Sequence, residues 1–305
     1  MSTVPPAPPV PGAAAGDETG AALARDARRE RRAALALALP ALLLVGLVAL
    51  LPTLWLFGLS LIEGESLSLA HYRRLLTEES YRRIFWTTFE IAAVVTVLAA
   101  ILGYPLAYWL SRLSEPWAGL GLVLVLVPFW TSLLVRTYAW LVLLQRRGLV
   151  NQWLLSLGLI EEPLRLVHNW TGTVIGMLHI LLPFLVLPTY AGLKAIDPAY
   201  PAAAASLGAS PVKAFWTVLF PLSLPGFLAG CLLVFVLALG FYVTPAILGG
   251  GRVLMVAMKV QENAGLYLDW GAASALAVVL LLATLLIFAL LARLVPIERL
   301  LVGRS

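Results

Sequence analysis

The chain has 305 residues, of which 61% are hydrophobic and 12% charged, with mean hydropathy +0.93 and net charge +5. That composition excludes a soluble globular protein, whose surface needs far more charge, and identifies an integral membrane protein. The basic excess is concentrated at Arg25, Arg28, Arg29, Arg31 and Arg32, directly ahead of the first apolar run, where it sets membrane orientation rather than binding nucleic acid.

Residues 1–32 are expected to be a disordered cytoplasmic tail that carries this basic cluster. The stretch from Met1 to about Asp17 is Pro-, Ala- and Gly-rich and too poor in large apolar residues to offset chain entropy. It does not resemble a cleaved signal peptide, because the apolar run behind the arginines is too long.

Residues 33–305 form one membrane domain. A hydrocarbon layer of about 30 Å needs about twenty apolar residues in a helix. Six such runs can be cut: Ala34–Leu59, Phe85–Leu110, Gly119–Leu144, Thr171–Leu193, Leu224–Leu248 and Gly271–Leu294. Barrel alternation is absent, so the spans are helices and the fold is all-α. Pro40, Pro52, Pro105, Pro128 and Pro183 are expected to kink them. Six spans put both termini on one side, and the arginine cluster makes that side the cytoplasm. Lys and Arg divide almost evenly across the membrane, so the first helix and the short loop Ser111–Gly119 carry this orientation.

The spans contain few polar candidates. Arg136, deep in span three, is costly there unless it reaches water, backbone or a partner; it either serves a pathway or gate, or snorkels from a helix broken near Leu134. Glu90 lies within two turns of Arg83 and is expected at the outer interface. Trp130, Tyr138, Trp140, Tyr242 and Thr244 are candidates to line a path in which aromatic faces attract an alkylammonium ion. Pro128 and the Pro245-Gly249-Gly250-Gly251 group point to interrupted helix near the outer side. Lone Cys231 and the scattered His71, His168 and His179 offer no disulfide framework and no metal site.

One stretch between spans four and five, residues 197–225, is not a span: "DPAYPAAAASLGASPVKAFWTVLFPLSLP". Asp197-Pro198 and Pro201 start a helix, alanines propagate it, and Gly208 can take the left-handed conformation that stops it. Ser210-Pro211 then caps a second helix with Val212, Phe215, Trp216 and Leu219 on one apolar face, until Pro221 and Pro225 turn the chain into span five. The product is a helical elbow at the inner surface whose first arm is nearly bare of side chains.

The elbow's spacing resembles the motif of ABC importer permeases, in which Glu-Ala-Ala, three residues, Gly, nine residues and Ile-x-Leu-Pro follow one another. Ala203, Ala204, Gly208 and Pro221 match, Val218 and Phe220 are apolar replacements, and Ala202 stands where the motif has glutamate. The resemblance implies the type I importer permease fold with six transmembrane helices. It also implies that Ala202, Ala203, Ala204, Leu207, Gly208, Ala209, Ser210 and Pro221 form a coupling helix lodged in a groove of an ATPase subunit. "GYPLAYWLSR", "PFWTSLLVRTYAW" and "FYVTPAILGG" are similar to the spermidine/putrescine class of these permeases.

No phosphate-binding loop, HExxH or GxSxG is present, so the chain has no engine of its own and is not expected to be an enzyme. The implied assembly is two cytoplasmic ATPase subunits using ATP and Mg, a second permease subunit that is a paralogue, and an extracytoplasmic solute-binding protein. It would lie in the bacterial inner membrane among lipid, without nucleic acid, and with no cofactor in this chain. An ion-coupled secondary transporter, which would show internal repeats and more buried ionisable groups, and a membrane scaffold are the alternatives.

Overall fold

The computed structural model describes residues 13–64 and 66–294. Among them, five helices are each long and apolar enough to cross a membrane, and there are six spans if one sharply bent pair is counted as one. The chain divides into two compact units, Met1–Gly58 and Leu59–Ser305.

The first unit is built on α1 (Ala13–Leu59), which runs unbroken through Pro40 and Pro52. Its membrane stretch is Ala36–Leu59. The helix begins inside the segment expected to be a disordered tail; the Pro-rich residues 1–12 lie outside the described residues.

The second unit opens with a small antiparallel hairpin, β1 (Ile62–Glu63) and β2 (Ser66–Leu67). It is followed by α2 (Ala70–Thr77) and the long α3 (Glu79–Arg112). Along α3 the buried residues Ile84, Thr88, Ile91, Val95, Ala99 and Gly103 recur at three- and four-residue steps, which is one helical face.

Span three departs from expectation, because it is two helical segments and not one. α4 (Glu115–Leu126) tightens into a 3-10 turn, Val127–Trp130, and α5 (Leu133–Leu144) follows the break, the stretch Leu133–Ser156 lying at 97° to Glu115–Trp130. Pro128 cannot donate to the helical ladder, while its own carbonyl accepts from Thr131 N–H at 3.2 Å and Thr131 Oγ1 at 2.8 Å, closing the turn. The break at Thr131-Ser132 lies close to Leu134, where a broken helix was one of the two alternatives for Arg136. α6 (Leu149–Ser156) follows, and buried Asn151 pins the loop beyond it by bonds with the backbone of Gln145 and Leu164.

α7 (Trp170–Lys194) is capped by the Asn169 side chain, which accepts from Gly172 N–H. The elbow comes next as α8 (Ala199–Ser206) and α9 (Pro211–Ala214), and then a π-helical turn, Phe215–Leu219, leads into α10 (Phe220–Leu239). Span five therefore begins inside the elbow, at Pro211, and ends at Leu239 rather than Leu248. α11 (Val243–Leu248) is a separate short helix, as Pro245 and the glycines after it suggested. α12 (Val256–Gly265) and α13 (Trp270–Leu294) complete the unit.

The core lies where α3, α7 and α10 cross. Ile91, Val95, Met177, Leu185, Val234 and Ala238 are among its fully buried members. A second cluster, Leu75, Ile84, Val256 and Leu276, joins α2, α3, α12 and α13. Nearby, Thr88 Oγ1 donates to the Ile84 carbonyl and accepts from Val256 N–H at 2.9 Å, so a buried backbone donor finds its partner across the unit.

Candidate functional site

The elbow is closed by its own backbone. Asp197 Oδ1 accepts from Ala199 N–H at 2.8 Å and starts α8. At the other end Ala209 N–H bonds to the Ala204 carbonyl at 3.0 Å and Gly208 N–H to that of Ala205 at 2.9 Å, the paired closure of a Schellman motif. Gly208 sits at φ +82°, in the left-handed region where a side chain is strained. Ser210 Oγ then accepts from Lys213 N–H, with Pro211 in the first turn, as the sequence suggested.

α8 buries none of its side chains, and Leu207 at its end is 89% exposed. Ala202, Ala203 and Ser210 are likewise exposed, while Ala204 and Ala209 are half-buried. The single apolar face expected for the second arm is divided. Leu219 is buried and Phe215 half-buried, whereas Val212 and Trp216 remain exposed. The reason is the π turn: Phe220 N–H bonds to the Phe215 carbonyl, five residues back, which shifts the faces on either side of it. Pro221, expected to turn the chain, instead sits in a continuous helix. It has no N–H to offer Thr217, and the wider turn relieves its ring from that carbonyl.

The elbow is seated on α3. Tyr104 OH lies 2.8 Å from buried Ser223 Oγ, and Ser223 Oγ in turn donates to the Phe220 carbonyl. The Tyr104 ring meets Phe215, Phe220 and Phe227 edge-on, with centroids 6.1, 5.5 and 5.2 Å away, and Tyr108 meets Phe215 at 5.2 Å. Tyr104 was passed over in the sequence, where "GYPLAYWLSR" served only as a resemblance. The available signal was the pair Tyr104 and Tyr108 at helical spacing near the C-terminal end of a span.

The path candidates come from three stretches of the chain, the 3-10 turn, α5 and the start of α11. Trp130 ends the 3-10 turn and is exposed, as are Tyr138 on α5 and Tyr242 just before α11. Thr244 is fully buried, 3.2 Å from Thr137 Oγ1, and joins α11 to α5. Trp140 Nε1 donates to His179 Nδ1 at 3.1 Å, so this histidine fixes α5 against α7. Arg136 is half-buried at the end of the first turn of α5, and its buried Nε has no hydrogen-bond partner in the chain. Glu90 is exposed on α3. Among the described residues no three His, Cys, Asp or Glu side chains converge as a metal site would require.

Residues 69–299 match the family described as binding-protein-dependent transport system inner membrane component. The chain is 33% identical over 250 residues to the spermidine/putrescine transport system permease protein PotB of Escherichia coli K12, covering 79% of this chain and 90% of that one. It is 34% identical over 209 residues to PotB of Haemophilus influenzae, covering 68% and 73%. Among solved structures, a bacterial alginate ABC transporter with a pentasaccharide-bound periplasmic protein has a chain that superposes with TM-score 0.66 at 15% identity. That likeness of fold spans 86% of this chain and 93% of the other.

Proposed function

The chain belongs to the family of binding-protein-dependent inner membrane transport components and is a permease subunit of an ABC importer, and from that premise we propose that it carries putrescine, spermidine or a related small polycation inward. The observation that carries the substrate class is the kinship with PotB over most of the chain. The aromatic side chains around the broken third span are consistent with a cationic cargo.

Energy enters through α8. An exposed helix stripped to alanines and held rigid by its own caps is built for close approach by another surface, and Leu207 projects beyond it as an apolar knob. The occupant is a cytoplasmic ATPase subunit, two of which hydrolyse ATP with Mg. With Ala202 in place of the motif's glutamate, the contact rests on shape and apolar burial instead of an ion pair. The other half of the path comes from a second, paralogous permease, and a solute-binding protein delivers cargo from outside. This arrangement places both termini and the elbow in the cytoplasm, and the hairpin, α2 and α12 on the outer side.

The test is reconstitution of the chain with its ATPase, second permease and binding protein in vesicles. Labelled putrescine should accumulate only with ATP and binding protein together. Accumulation driven by an ion gradient without ATP would overturn the proposal.

A further inference from the structure

The wide turn at Phe215–Leu219 is a point of weakness between the elbow and span five. A π turn can revert to an α turn by passing its extra residue along the helix, which rotates whatever precedes it by about 100°. An elbow free to rotate in this way would move without moving the span. Pro221 opposes that on one side, since it has no N–H with which to complete an ordinary turn.

On the other side stands one side chain of α3. The Tyr104 ring touches Phe215, the first residue of the wide turn, Phe220, the residue just after it, and Phe227, two turns into α10. Its hydroxyl completes a chain of hydrogen bonds, Tyr104 to Ser223 to the Phe220 carbonyl, in a buried setting. Both ends of the turn are thus fastened to the same ring. From this geometry we infer that Tyr104 is a positioning residue that locks the wide turn to α3, so that displacement of the elbow is passed into spans two and five together instead of being absorbed between them. The inference rests on the proposal that the elbow is driven by an ATPase, although the lock itself does not.

Two measurements on the full reconstituted complex separate these questions. Spin labels at exposed Ser206 on α8 and Ser114 beyond α3, in a Cys231→Ala background, report the elbow's position by their distance distribution. Tyr104→Leu, which keeps apolar bulk but loses ring and hydroxyl, should broaden that distribution, while Tyr104→Phe, which keeps all three ring contacts, should leave it narrow. A distribution for Tyr104→Leu as narrow as the parent's overturns the lock, whatever the elbow binds.

Solute imported per ATP hydrolysed is the second readout. Tyr104→Leu should lower this ratio at least about fivefold with assembly unchanged, and Tyr104→Phe should hold it within about twofold. If Tyr104→Leu fails to assemble, Phe215→Leu, which removes the ring contacts with Tyr104 and Tyr108 and leaves the sequence of α3 unchanged, takes its place with the same two expectations. A parental ratio in a variant with a broadened distribution would keep the lock and remove its role in coupling.

Discussion

Gly192 on α7 and Gly226 on α10 meet backbone to backbone. A Cβ placed on Gly226 would stand 3.1 Å from Gly192 Cα and 2.5 Å from the Pro188 carbonyl oxygen. Between apolar spans, lipid supplies no hydrophobic preference for helix over tail, so close packing of small residues is what draws helices together. This contact lies just beyond Ser223 and so holds the root of the elbow-bearing helix.

Gly226→Val is therefore expected to destabilise the protein by about 1–3 kcal/mol or more, since the obstructing atoms are backbone and cannot swing aside. Gly119→Ala in α4, where nothing lies within 4 Å, is the control and should leave stability unchanged or slightly raised. Unfolding midpoints of the detergent-purified chain would show it. Equal midpoints for the two variants would mean that the crossing is not close-packed.

How much of this could be read from the chain alone differs by element. The elbow's punctuation was legible because it is local: Asp197, Gly208 and Ser210 each act on backbone within a few residues. The spans on α3, α7 and α13 were legible because twenty apolar residues admit little else. The continuity of helix through Pro221 was not, since a proline that follows a helical elbow reads as a stop, whereas here it enters α10 directly after the π turn. Tyr104 and Ser223 stand 119 residues apart, and nothing periodic links them. The third span could be suspected of breaking, from Pro128 and costly Arg136, but its 97° angle is set by packing of α5 on α7 and α11.

Gly208→Leu should leave the chain inserted in the membrane while abolishing transport-linked ATP hydrolysis. The space around Gly208 is open, so the expected damage comes from the left-handed backbone at φ +82°, which a leucine resists, and from a changed docking surface. Membrane fractionation and stimulated ATPase activity of the assembled complex check the two halves. Normal uptake by this variant would remove the elbow from the coupling path.

Orientation can be settled with an impermeant maleimide on intact cells expressing Cys231→Ala. Single cysteines at Ser66 in the hairpin and Ser156 on α6 are exposed and should label from outside, and one at exposed Ser210 should not. Asn151 is unsuitable despite its place in the same segment as Ser156, because it is buried and holds Gln145 and Leu164 by three hydrogen bonds. Labelling in the opposite sense would put the elbow outside and end the coupling proposal.

Arg136 decides between substrate classes. It is the fourth residue of α5, at the end where unpaired backbone N–H groups already carry partial positive charge, and its buried Nε has no partner in this chain. Both conditions ask for an anion from elsewhere. If that anion is an acidic side chain of the second permease, the guanidinium is neutralised, a dication can pass, and Arg136→Ala should impair assembly or gating while labelled putrescine remains the transported species. If the anion is the cargo, the reconstituted complex should import an anionic solute and ignore putrescine, and Arg136→Ala should abolish that import with assembly intact. The second outcome would leave the chain an importer subunit and overturn the polyamine proposal. The first is expected, because the PotB proteins that this chain resembles over most of its length are named for spermidine and putrescine, and a fixed, unneutralised guanidinium on the route would repel such a cation.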